Sequence, residues 1–355
     1  ILLETIAEEI ESVGEEILAI ATLETGLQAG RIQSEIVRTT DQLRLFAEVA
    51  RKEFWLDAVI DTALPNRQLL PKSDIRKCLV PIGPVAVFGA SNFPLAFSTA
   101  GGDTVSALAS GNPVIVKAHN SHFGTNECMA AAIARPLEPC NLPKGIFSSL
   151  IAEGNELGAA LVEHSGIKAV GFTGSYSGGK ALLDLVSKRK EPIPFYGEMG
   201  SVNPVILFPS ALKDPKTVSS LISSINLGVG QFCTNPGLIL TIDSEATQSF
   251  CLRMTEAIDQ CVGEVLLNKA IYDSYEANMA EISAEKSYTL LGQGTKVADA
   301  LSVKPSLALT SGKKFLTHPK MGKEIFGPFS LIVSCENDNE LSEILMKIEG
   351  QLTFS

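Results

Sequence analysis

The chain has 355 residues, of which 45% are hydrophobic and 19% are charged. This length and composition suit about two globular domains, and they exclude a disordered tail, a collagen-like fibre and a small disulfide scaffold. The net charge of −11 argues against nucleic acid as a partner, because nucleic acids are attracted to basic surfaces. The longest apolar runs are far shorter than the ~18 residues of a spanning helix, so no membrane segment is predicted.

The first part of the chain is predicted to be helical, followed by an arm. Residues 1–60 have apolar side chains at helical spacing, and Gly26 and Gly30 mark a turn between two helices. Residues 63–81 contain three prolines in a polar stretch, which favours an extended arm or edge hairpin over a core strand. The chain lacks an initiating Met, opens inside a helical pattern and stops without a closing element. We therefore expect a fragment truncated at both ends.

From residue 82 onward, short apolar strands alternate with helices, first up to residue 198 and then in a second unit. This alternation predicts the α/β class with parallel sheets covered on both faces, and ligands bound outside the carboxyl ends of the strands. The predicted strands are Val85–Phe88, Pro113–Val116, Ile146–Leu150, Lys168–Phe172, Pro204–Phe208 and Leu238–Ile242. The predicted helices are Phe97–Ser110, Thr125–Arg135, Glu156–Glu163, Ser177–Lys188, Lys216–Leu227 and Gln248–Cys261.

One glycine-rich segment has the pattern of a nucleotide-binding P-loop. The residues from Gly174 to Lys180 spell Gly-x-x-x-x-Gly-Lys between a strand and a helix. The next position needs a Ser or Thr hydroxyl for magnesium, and Ala181 has none. The segment is otherwise a plain turn, or a helix start whose free N–H groups face a phosphate.

Three further loops contain residues that suit covalent acyl chemistry. Asn92 follows a strand in the segment Gly-Ala-Ser-Asn-Phe-Pro, Glu198 stands between glycines, and Cys233 lies in a turn-rich loop before a strand. Each loop alone could be an ordinary turn. Together they supply an amide donor, a carboxylate and a nucleophile.

The remaining cysteines and the histidines predict no further chemistry. The seven cysteines are odd in number and form no Cys-x-x-Cys pair, which favours a reducing, cytoplasmic location and buried structural roles for the other six. His119 and His122 lie in a polar turn without a third ligand, so a solvated or capping role is expected and no metal site is predicted.

The order of these segments resembles the aldehyde dehydrogenase superfamily. Six motifs carry the resemblance, namely Asn92-Phe93-Pro94, Val114-Ile115-Val116-Lys117, Phe172-Thr173-Gly174-Ser175, Glu198-Met199-Gly200, Gly230-Gln231-Phe232-Cys233-Thr234 and Glu324-Ile325-Phe326-Gly327-Pro328. The resemblance implies an aldehyde dehydrogenase-like fold, with a Rossmann-like NAD(P)-binding domain over 1–62 and 82–198. It further implies an oligomerisation arm over 63–81, a catalytic domain over 199–355 that is incomplete at its C-terminus, and a homodimer or homotetramer.

The resemblance also implies the catalytic roles. Cys233 would attack the aldehyde carbon as a thiolate, and hydride transfer to the nicotinamide would then leave a thioester. The Asn92 amide and the Cys233 backbone N–H would form the oxyanion hole. Glu198 would act as the general base for the hydrolytic water.

The cofactor implied by the resemblance is NADP or NAD. Lys117 would hold the ribose hydroxyls or the 2′-phosphate of the adenosine. Asn120 stands where NAD-preferring members often carry a glutamate, and loss of that charge removes repulsion of a 2′-phosphate. The other residues expected at the cofactor are Gly174, Ser175 and Gly179 beside the pyrophosphate, Glu324 at the nicotinamide ribose and Phe326 at the nicotinamide site.

Within the superfamily, three segments resemble the α-ketoglutaric semialdehyde (2,5-dioxopentanoate) dehydrogenase branch. They are Phe88–Phe97, Gly101–Thr104 and Phe232–Gly237. The implied partner is a small-molecule aldehyde, and the implied reaction converts 2,5-dioxopentanoate to 2-oxoglutarate. Alternatives that stay open are another aliphatic aldehyde, a catalytically incomplete family fragment and a P-loop-like nucleotide-binding protein.

Overall fold

The structure is a computed structural model that describes all 355 residues, apart from the side chain of Phe54. The chain divides into two compact units, residues 1–199 and 200–355. Each unit contains a largely parallel sheet with helices, so the predicted α/β class is confirmed. Across the described part of the chain, no helix combines the length and the apolar character that a bilayer crossing demands.

The first unit begins with helices whose apolar faces are buried. The predicted turn lies at Gly26, which ends the second helix in the left-handed conformation with φ 66°. Gly30 lies inside the third helix, so its prediction as a turn residue was wrong. The first helical pattern breaks at Val13, which separates two helices. The helices are α1 (Leu2–Ser12), α2 (Gly14–Thr25) and α3 (Ala29–Lys52), followed by a 3₁₀ turn at Phe54–Leu56.

An exposed hairpin follows these helices. Strand β1 (Val59–Asp61) pairs antiparallel with β2 (Ile75–Lys77), and every residue of both strands is exposed. The sequence predicts an arm or edge hairpin over residues 63–81, and a hairpin is present but begins earlier, because β1 includes residues 59–60 that were predicted to be helical. Several of its apolar side chains face solvent, including Leu70 at 70% and Val80 at 73% exposure.

The sheet of the first unit has five parallel strands in the order β5-β4-β3-β6-β7. Its strands are β3 (Val85–Phe88), β4 (Val114–Lys117), β5 (Phe147–Leu150), β6 (Ala169–Thr173) and β7 (Phe195–Glu198). Its helices are α4 (Gly102–Ala109), α5 (Phe123–Ala134), α6 (Glu156–Glu163) and α7 (Tyr176–Ser187), with 3₁₀ turns at Arg135–Leu137 and Lys144–Ile146.

Helix α4 begins later than the sequence predicts, at Gly102 instead of Phe97. The backbone N–H groups of Leu95 and Ala96 donate to the carboxylate of Glu35, at 2.8 and 3.0 Å. The carbonyl of Phe97 accepts from the N–H of Ala90. These tertiary bonds hold the small-residue segment as a turn, which local sequence spacing does not reveal.

The second unit has a five-stranded sheet in the order β11-β13-β14-β9-β8, in which only β11 is antiparallel. The strands of this sheet are β8 (Val205–Leu207), β9 (Leu238–Ile242), β11 (Thr289–Gln293), β13 (Ser306–Ser311) and β14 (Phe329–Cys335). The unit also contains a separate parallel pair formed by β10 (Val262–Gly263) and β12 (Thr295–Lys296). Its helices are α8 (Pro209–Lys213), α9 (Pro215–Asn226), α10 (Glu245–Asp259), α11 (Lys269–Ala284), α12 (Gly312–Thr317) and α13 (Asp338–Lys347), with 3₁₀ turns at Leu227–Gly230 and Pro319–Gly322.

Both faces of the second sheet are buried. Leu238 and Leu240 pack into one apolar cluster with α11 and α13, whereas Ile239 packs into another with α9 and α10. Alternate residues of a strand point to opposite faces, so a strand covered on both sides is apolar throughout. This explains why β9 has the bounds that its sequence predicts.

Candidate active site

The predicted site residues of the first unit gather at the carboxyl edge of its sheet. Lys117 ends β4 and pairs in register with Phe88 of β3, while Glu198 ends β7 and pairs with Thr173 of β6. The Glu198 carbonyl accepts from the N–H of Gly174, which joins the carboxylate-bearing residue to the glycine-rich turn. The sheet therefore brings its polar loops to the edge where parallel sheets bind ligands.

The Glu198 side chain is exposed and has an acidic neighbour in the same unit. The carboxylate of Asp103, on α4, lies directly over Gly171 of β6, and a side chain at residue 171 would collide with it. Burial raises the pKa of Asp103 above its usual value, and the charge of Glu198 raises it further. Two carboxylates thus interact at this edge of the sheet.

The loop that carries Asn92 is held by helix α3. The guanidinium of Arg31 donates to the Asn92 carbonyl at 2.6 Å and lies 4.8 Å from the centre of the Phe93 ring. Glu35, one turn further along α3, accepts the two N–H groups of Leu95 and Ala96. Burial raises the pKa of Glu35, because the surroundings disfavour its charged form. Asn92 itself is 9% exposed.

Lys117 and Asn120 contact each other directly. The Lys117 ammonium donates to the Asn120 side-chain oxygen at 2.7 Å, and burial lowers the pKa of Lys117. Because the Asn120 amide is neutral, it does not neutralise the Lys117 ammonium, which can still attract an anionic group. A carboxylate at residue 120 would compete for the same ammonium.

The glycine-rich turn forms the start of helix α7. Ser175 caps this helix, since its hydroxyl accepts from the N–H of Gly178 at 3.3 Å. Gly174 and Gly179 both lie against the ring of Phe172. Lys180 pairs with Asp184 one turn along the same exposed helix face, an arrangement unlike the phosphate-binding lysine of a P-loop.

His122 is buried, so a solvated role is wrong for it, whereas His119 is half-buried and its Nδ1 accepts from the N–H of Ser121 at 3.1 Å, in keeping with the expected capping role. His122 is fully buried, and its Nε2 lies 3.2 Å from the carbonyl of Ala90. The ring of His119 stacks on that of His122 with their centres 5.6 Å apart. Burial lowers the pKa of both rings, that of His119 to about 3, and His122 packs against the loop that carries Asn92.

In the second unit, the predicted site residues lie at the amino ends of the strands. Cys233 precedes β9, and both Glu324 and Phe326 precede β14, which is parallel to β9. The turn around Cys233 closes with the N–H of Asn235 donating to the Phe232 carbonyl at 3.0 Å. The predicted site loops therefore follow the carboxyl ends of strands in the first sheet and precede the strands in the second.

Glu324 is a partly buried carboxylate in this amino-end cluster. Its Oε1 accepts from the backbone N–H of Ser201 at 3.3 Å. Burial raises the pKa of Glu324 to about 7, and the Ser201 hydrogen bond opposes this only in part. Ser201, Phe232, Glu324 and Phe326 line one shared cavity. A carboxylate in this position can accept hydrogen bonds from sugar hydroxyls.

Close backbone approaches hold the Cys233 and Glu324 loops together. Gly230 has φ 67°, and a Cβ atom there would overlap the backbone of Gly327. The buried ring of Tyr275 packs against Gly327, and its hydroxyl donates to the carbonyl of Lys304 at 2.8 Å. The side-chain amide of Asn235 donates to the Gly327 carbonyl at 3.4 Å.

Several residues at these loops were not predicted from the sequence. They are Glu35, Asn203, Tyr275 and Gln351, whose partners are distant in the chain. Only Asn203 has a local sequence signal, because an asparagine before a proline is typical of a turn. In the structure it adopts φ 46°, a conformation that asparagine tolerates. The other three occupy positions that resemble ordinary helix or loop residues.

Comparison with known proteins identifies the family of this chain. The sequence profile described as "Aldehyde dehydrogenase family" matches residues 1–349. This chain belongs to the aldehyde dehydrogenase family. It is 45% identical over 353 residues to alpha-ketoglutaric semialdehyde dehydrogenase 2 of Azospirillum brasilense, covering 99% of this chain and 67% of that protein. It is 43% identical over 354 residues to alpha-ketoglutaric semialdehyde dehydrogenase of Acinetobacter baylyi, with the same coverage.

Solved structures share the fold at lower identity. An NAD-dependent benzaldehyde dehydrogenase from Corynebacterium glutamicum aligns with a TM-score of 0.77 and 21% identity, over 97% of this chain and 72% of that chain. Proline utilization A from Bdellovibrio bacteriovorus aligns with a TM-score of 0.79 and 22% identity, over 99% of this chain and 36% of that chain. The aldehyde dehydrogenase-like fold predicted from the motifs is confirmed.

Proposed function

We propose that this protein oxidises 2,5-dioxopentanoate, the semialdehyde of α-ketoglutarate, to 2-oxoglutarate with NAD⁺ or NADP⁺. The observation that carries the substrate is the 45% and 43% identity to two α-ketoglutaric semialdehyde dehydrogenases over 99% of the chain. Another small aliphatic aldehyde would require the same nucleophile and the same cofactor. A panel of aldehydes therefore separates the two substrates.

We propose Cys233 as the nucleophile. It lies in a closed turn, not on a helix face, and the loops around it are tightly packed. Its thiolate Sγ would bond to the aldehyde carbon, and the carbonyl oxygen would become the alkoxide of a thiohemiacetal. When bound, the nicotinamide cofactor would accept a hydride from the carbon of this adduct, and loss of that hydride leaves a thioester on Cys233.

We propose that Asn92 stabilises the negative charge of the alkoxide and that Glu198 removes a proton from the hydrolytic water. The Asn92 amide would donate to the alkoxide, a contribution of about 3–4 kcal/mol to the barrier for one such donor. Glu198 would accept a proton from the water that attacks the thioester. The carbon–sulfur bond then breaks, and the carboxylate product and the Cys233 thiolate are released.

The residues present fit a dinucleotide. The start of α7, capped by Ser175, offers free backbone N–H groups and a positive dipole end to a pyrophosphate. The Lys117 ammonium beside Asn120 suits the adenosine ribose or a 2′-phosphate. Glu324 and Phe326 line a cavity that suits the nicotinamide ribose and ring. Gly174 and Gly179 are proposed to let the pyrophosphate approach the backbone.

The test is reduction of NAD⁺ and NADP⁺ by the purified protein with 2,5-dioxopentanoate and a panel of aliphatic aldehydes. We expect Cys233→Ala to abolish turnover and to retain cofactor binding, whereas the matched control Cys140→Ala retains both. Turnover by the Cys233→Ala variant would contradict the proposed mechanism. A higher kcat/KM for a different aldehyde would replace the proposed substrate.

We further propose that the arm over residues 63–81 assembles a homodimer or homotetramer. Its support is the exposed apolar surface of the hairpin region, which includes Leu70 and Val80. Light scattering should show a smaller assembly for Leu70→Asp combined with Val80→Asp. The control Leu252→Asp changes an equally exposed leucine on α10 and should leave the mass unchanged. An unchanged mass in the arm variant would contradict the proposal.

We also propose a cytoplasmic location. Its support is the sequence pattern of seven cysteines without a Cys-x-x-Cys pair. Fractionation of cells that express the protein tests it, and recovery outside the cytoplasmic fraction would contradict it.

A further inference from the structure

A buried asparagine contacts the backbone of the Cys233 turn. Asn203 is 2% exposed and lies in the segment before β8. Its Nδ2 donates to the carbonyl of Cys233 at 2.8 Å and to the carbonyl of Asn235 at 2.9 Å. One amide group therefore holds both ends of the turn that follows the cysteine.

The opposite side of the same amide is also fully engaged. Oδ1 of Asn203 accepts from the hydroxyl of Thr353 at 3.1 Å. The hydroxyl of Ser201 lies 2.9 Å from the same oxygen and 2.8 Å from Oε1 of Gln351, and its one proton is shared between these two acceptors. The nitrogen faces carbonyls and the oxygen faces hydroxyls, so only one orientation of the amide suits its partners. A buried side chain with all its hydrogen bonds made is held rigidly.

Gln351 anchors the segment on which Asn203 lies. Its Oε1 accepts from the backbone N–H of Val202 at 2.6 Å and of Asn203 at 3.2 Å. It also lies 2.8 Å from the Ser201 hydroxyl. These bonds hold Asn203 in its left-handed conformation and tie residues 351–353 to the segment before β8.

We propose that Asn203 is a positioning residue for the nucleophile, and that Gln351 holds Asn203 in place. This inference rests on the proposed role of Cys233 as the nucleophile. The hydrogen bond to the Cys233 carbonyl fixes the peptide plane that follows the cysteine, and hence the direction in which Sγ leaves the backbone. Asn203 touches neither substrate nor cofactor in this scheme and acts only through Cys233.

The first test compares Asn203→Asp with the wild type. Aspartate has nearly the same shape, but it replaces the donating nitrogen with an oxygen that faces two carbonyls. We expect kcat to fall about 10- to 100-fold, the size of effect that a small misplacement of a reacting group produces. The dissociation constant of NADP⁺ should change less than twofold, and alkylation of Cys233 by iodoacetamide should slow. Asn278→Asp is the matched control, because Asn278 is half-buried and its amide donates to the Ser274 carbonyl of its own helix.

A double-mutant cycle tests the link to Gln351. If the two residues act as one unit, Asn203→Ala combined with Gln351→Ala lowers kcat no further than Asn203→Ala alone. Additive losses would overturn the link. Should the Asn203 variants fail to fold, Thr353→Val removes one hydroxyl from Oδ1 and leaves the two bonds to the turn. It should then lower kcat about threefold at unchanged cofactor affinity, since one supporting hydrogen bond is lost.

The outcomes separate this inference from the proposed function. Wild-type kcat in folded Asn203→Asp or in Thr353→Val, together with an inactive Cys233→Ala, overturns the positioning role alone. Turnover in Cys233→Ala overturns the nucleophile, and with it the positioning role. A loss of cofactor affinity that accounts for the whole loss of activity also overturns the inference, because positioning of the cysteine acts on kcat.

Discussion

Gly200 and Glu324 are in such close contact that a Cβ atom on Gly200 would overlap the carboxylate oxygen Oε2 of Glu324. The neighbouring residue, Ser201, donates its backbone N–H to Oε1 of the same carboxylate. The segment that follows Glu198 therefore sets the position of Glu324. A Cβ atom at Gly200 would have to displace this carboxylate, whereas the backbone angle of Gly200 is one that other residues can adopt.

We predict that Gly200→Ala displaces the Glu324 carboxylate. The added methyl group should raise the KM for the cofactor about tenfold, the equivalent of about 1.4 kcal/mol. The control is Gly145→Ala, where a Cβ atom would meet no neighbour within 4 Å. Steady-state kinetics with varied cofactor measures the effect. An unchanged KM in Gly200→Ala would show that Glu324 adapts or does not contact the cofactor.

The raised pKa of Glu324, about 7, predicts weaker cofactor binding in acid. Below this pKa the carboxylate is protonated and loses the charge that strengthens hydrogen bonds from sugar hydroxyls. The KM for the cofactor should therefore rise as the pH falls through about 7. Glu324→Gln should have a higher KM that does not depend on pH in this range. The exposed control Glu343→Gln should follow the wild type.

The same shift predicts a pH dependence of stability. The folded-state pKa of Glu324 lies above the ordinary value of 4.5, so the folded chain binds this proton more tightly than the unfolded chain. Relative to Glu324→Gln, the wild type should lose stability as the pH rises from about 4.5 to about 7. Thermal unfolding of both proteins across this range measures the difference. A constant difference would contradict the raised pKa.

We predict that Asn120→Glu shifts the cofactor preference toward NAD⁺. The new carboxylate would pair with Lys117 and repel a 2′-phosphate, so the KM for NADP⁺ should rise more than tenfold while the KM for NAD⁺ changes little. Asn155→Glu adds the same charge at an exposed position in the same unit and serves as the control. Equal effects on both cofactors would place the 2′-phosphate away from residue 120.

We predict that Glu198→Gln separates acylation from hydrolysis. The amide cannot take a proton from water, so the thioester on Cys233 should accumulate and the steady-state rate should fall by about 10²- to 10⁴-fold. Mass spectrometry of the protein after mixing with aldehyde and cofactor detects the acyl group. Glu163→Gln, at the exposed end of α6, is the control. Rapid hydrolysis in Glu198→Gln would assign the base to another residue.

Glu35 is predicted to stabilise the loop that carries Asn92. Glu35→Ala leaves the buried N–H groups of Leu95 and Ala96 without their acceptor, at about 1–3 kcal/mol for each. The melting temperature should fall, whereas Glu35→Gln retains an accepting oxygen and should remain close to the wild type. Glu127→Ala removes an exposed carboxylate from α5 and provides the comparison. Equal stability of all three variants would contradict the role of Glu35.

The regular elements and the motif residues were predictable because their signals are local. Strands β3 and β9 have the predicted bounds, since strands covered on both faces are apolar without interruption. The start of α4 was not predictable, because the bonds that shorten it come from Glu35, which is 60 residues from Leu95 in the chain. A local propensity cannot report a partner at that distance.

The sequence by itself determined the α/β class, the family and the identity of Cys233, Glu198 and Lys117 as candidates, because each depends on short runs of residues. Only the tertiary structure decided what holds the Cys233 turn. Asn203 and Gln351 hydrogen-bond although they are 148 residues apart. Burial is also a tertiary property, and it moved the pKa of Glu324 to about 7 and made His122 a packing residue. Hydrogen-bond partners and dielectric surroundings exist only after the chain has folded.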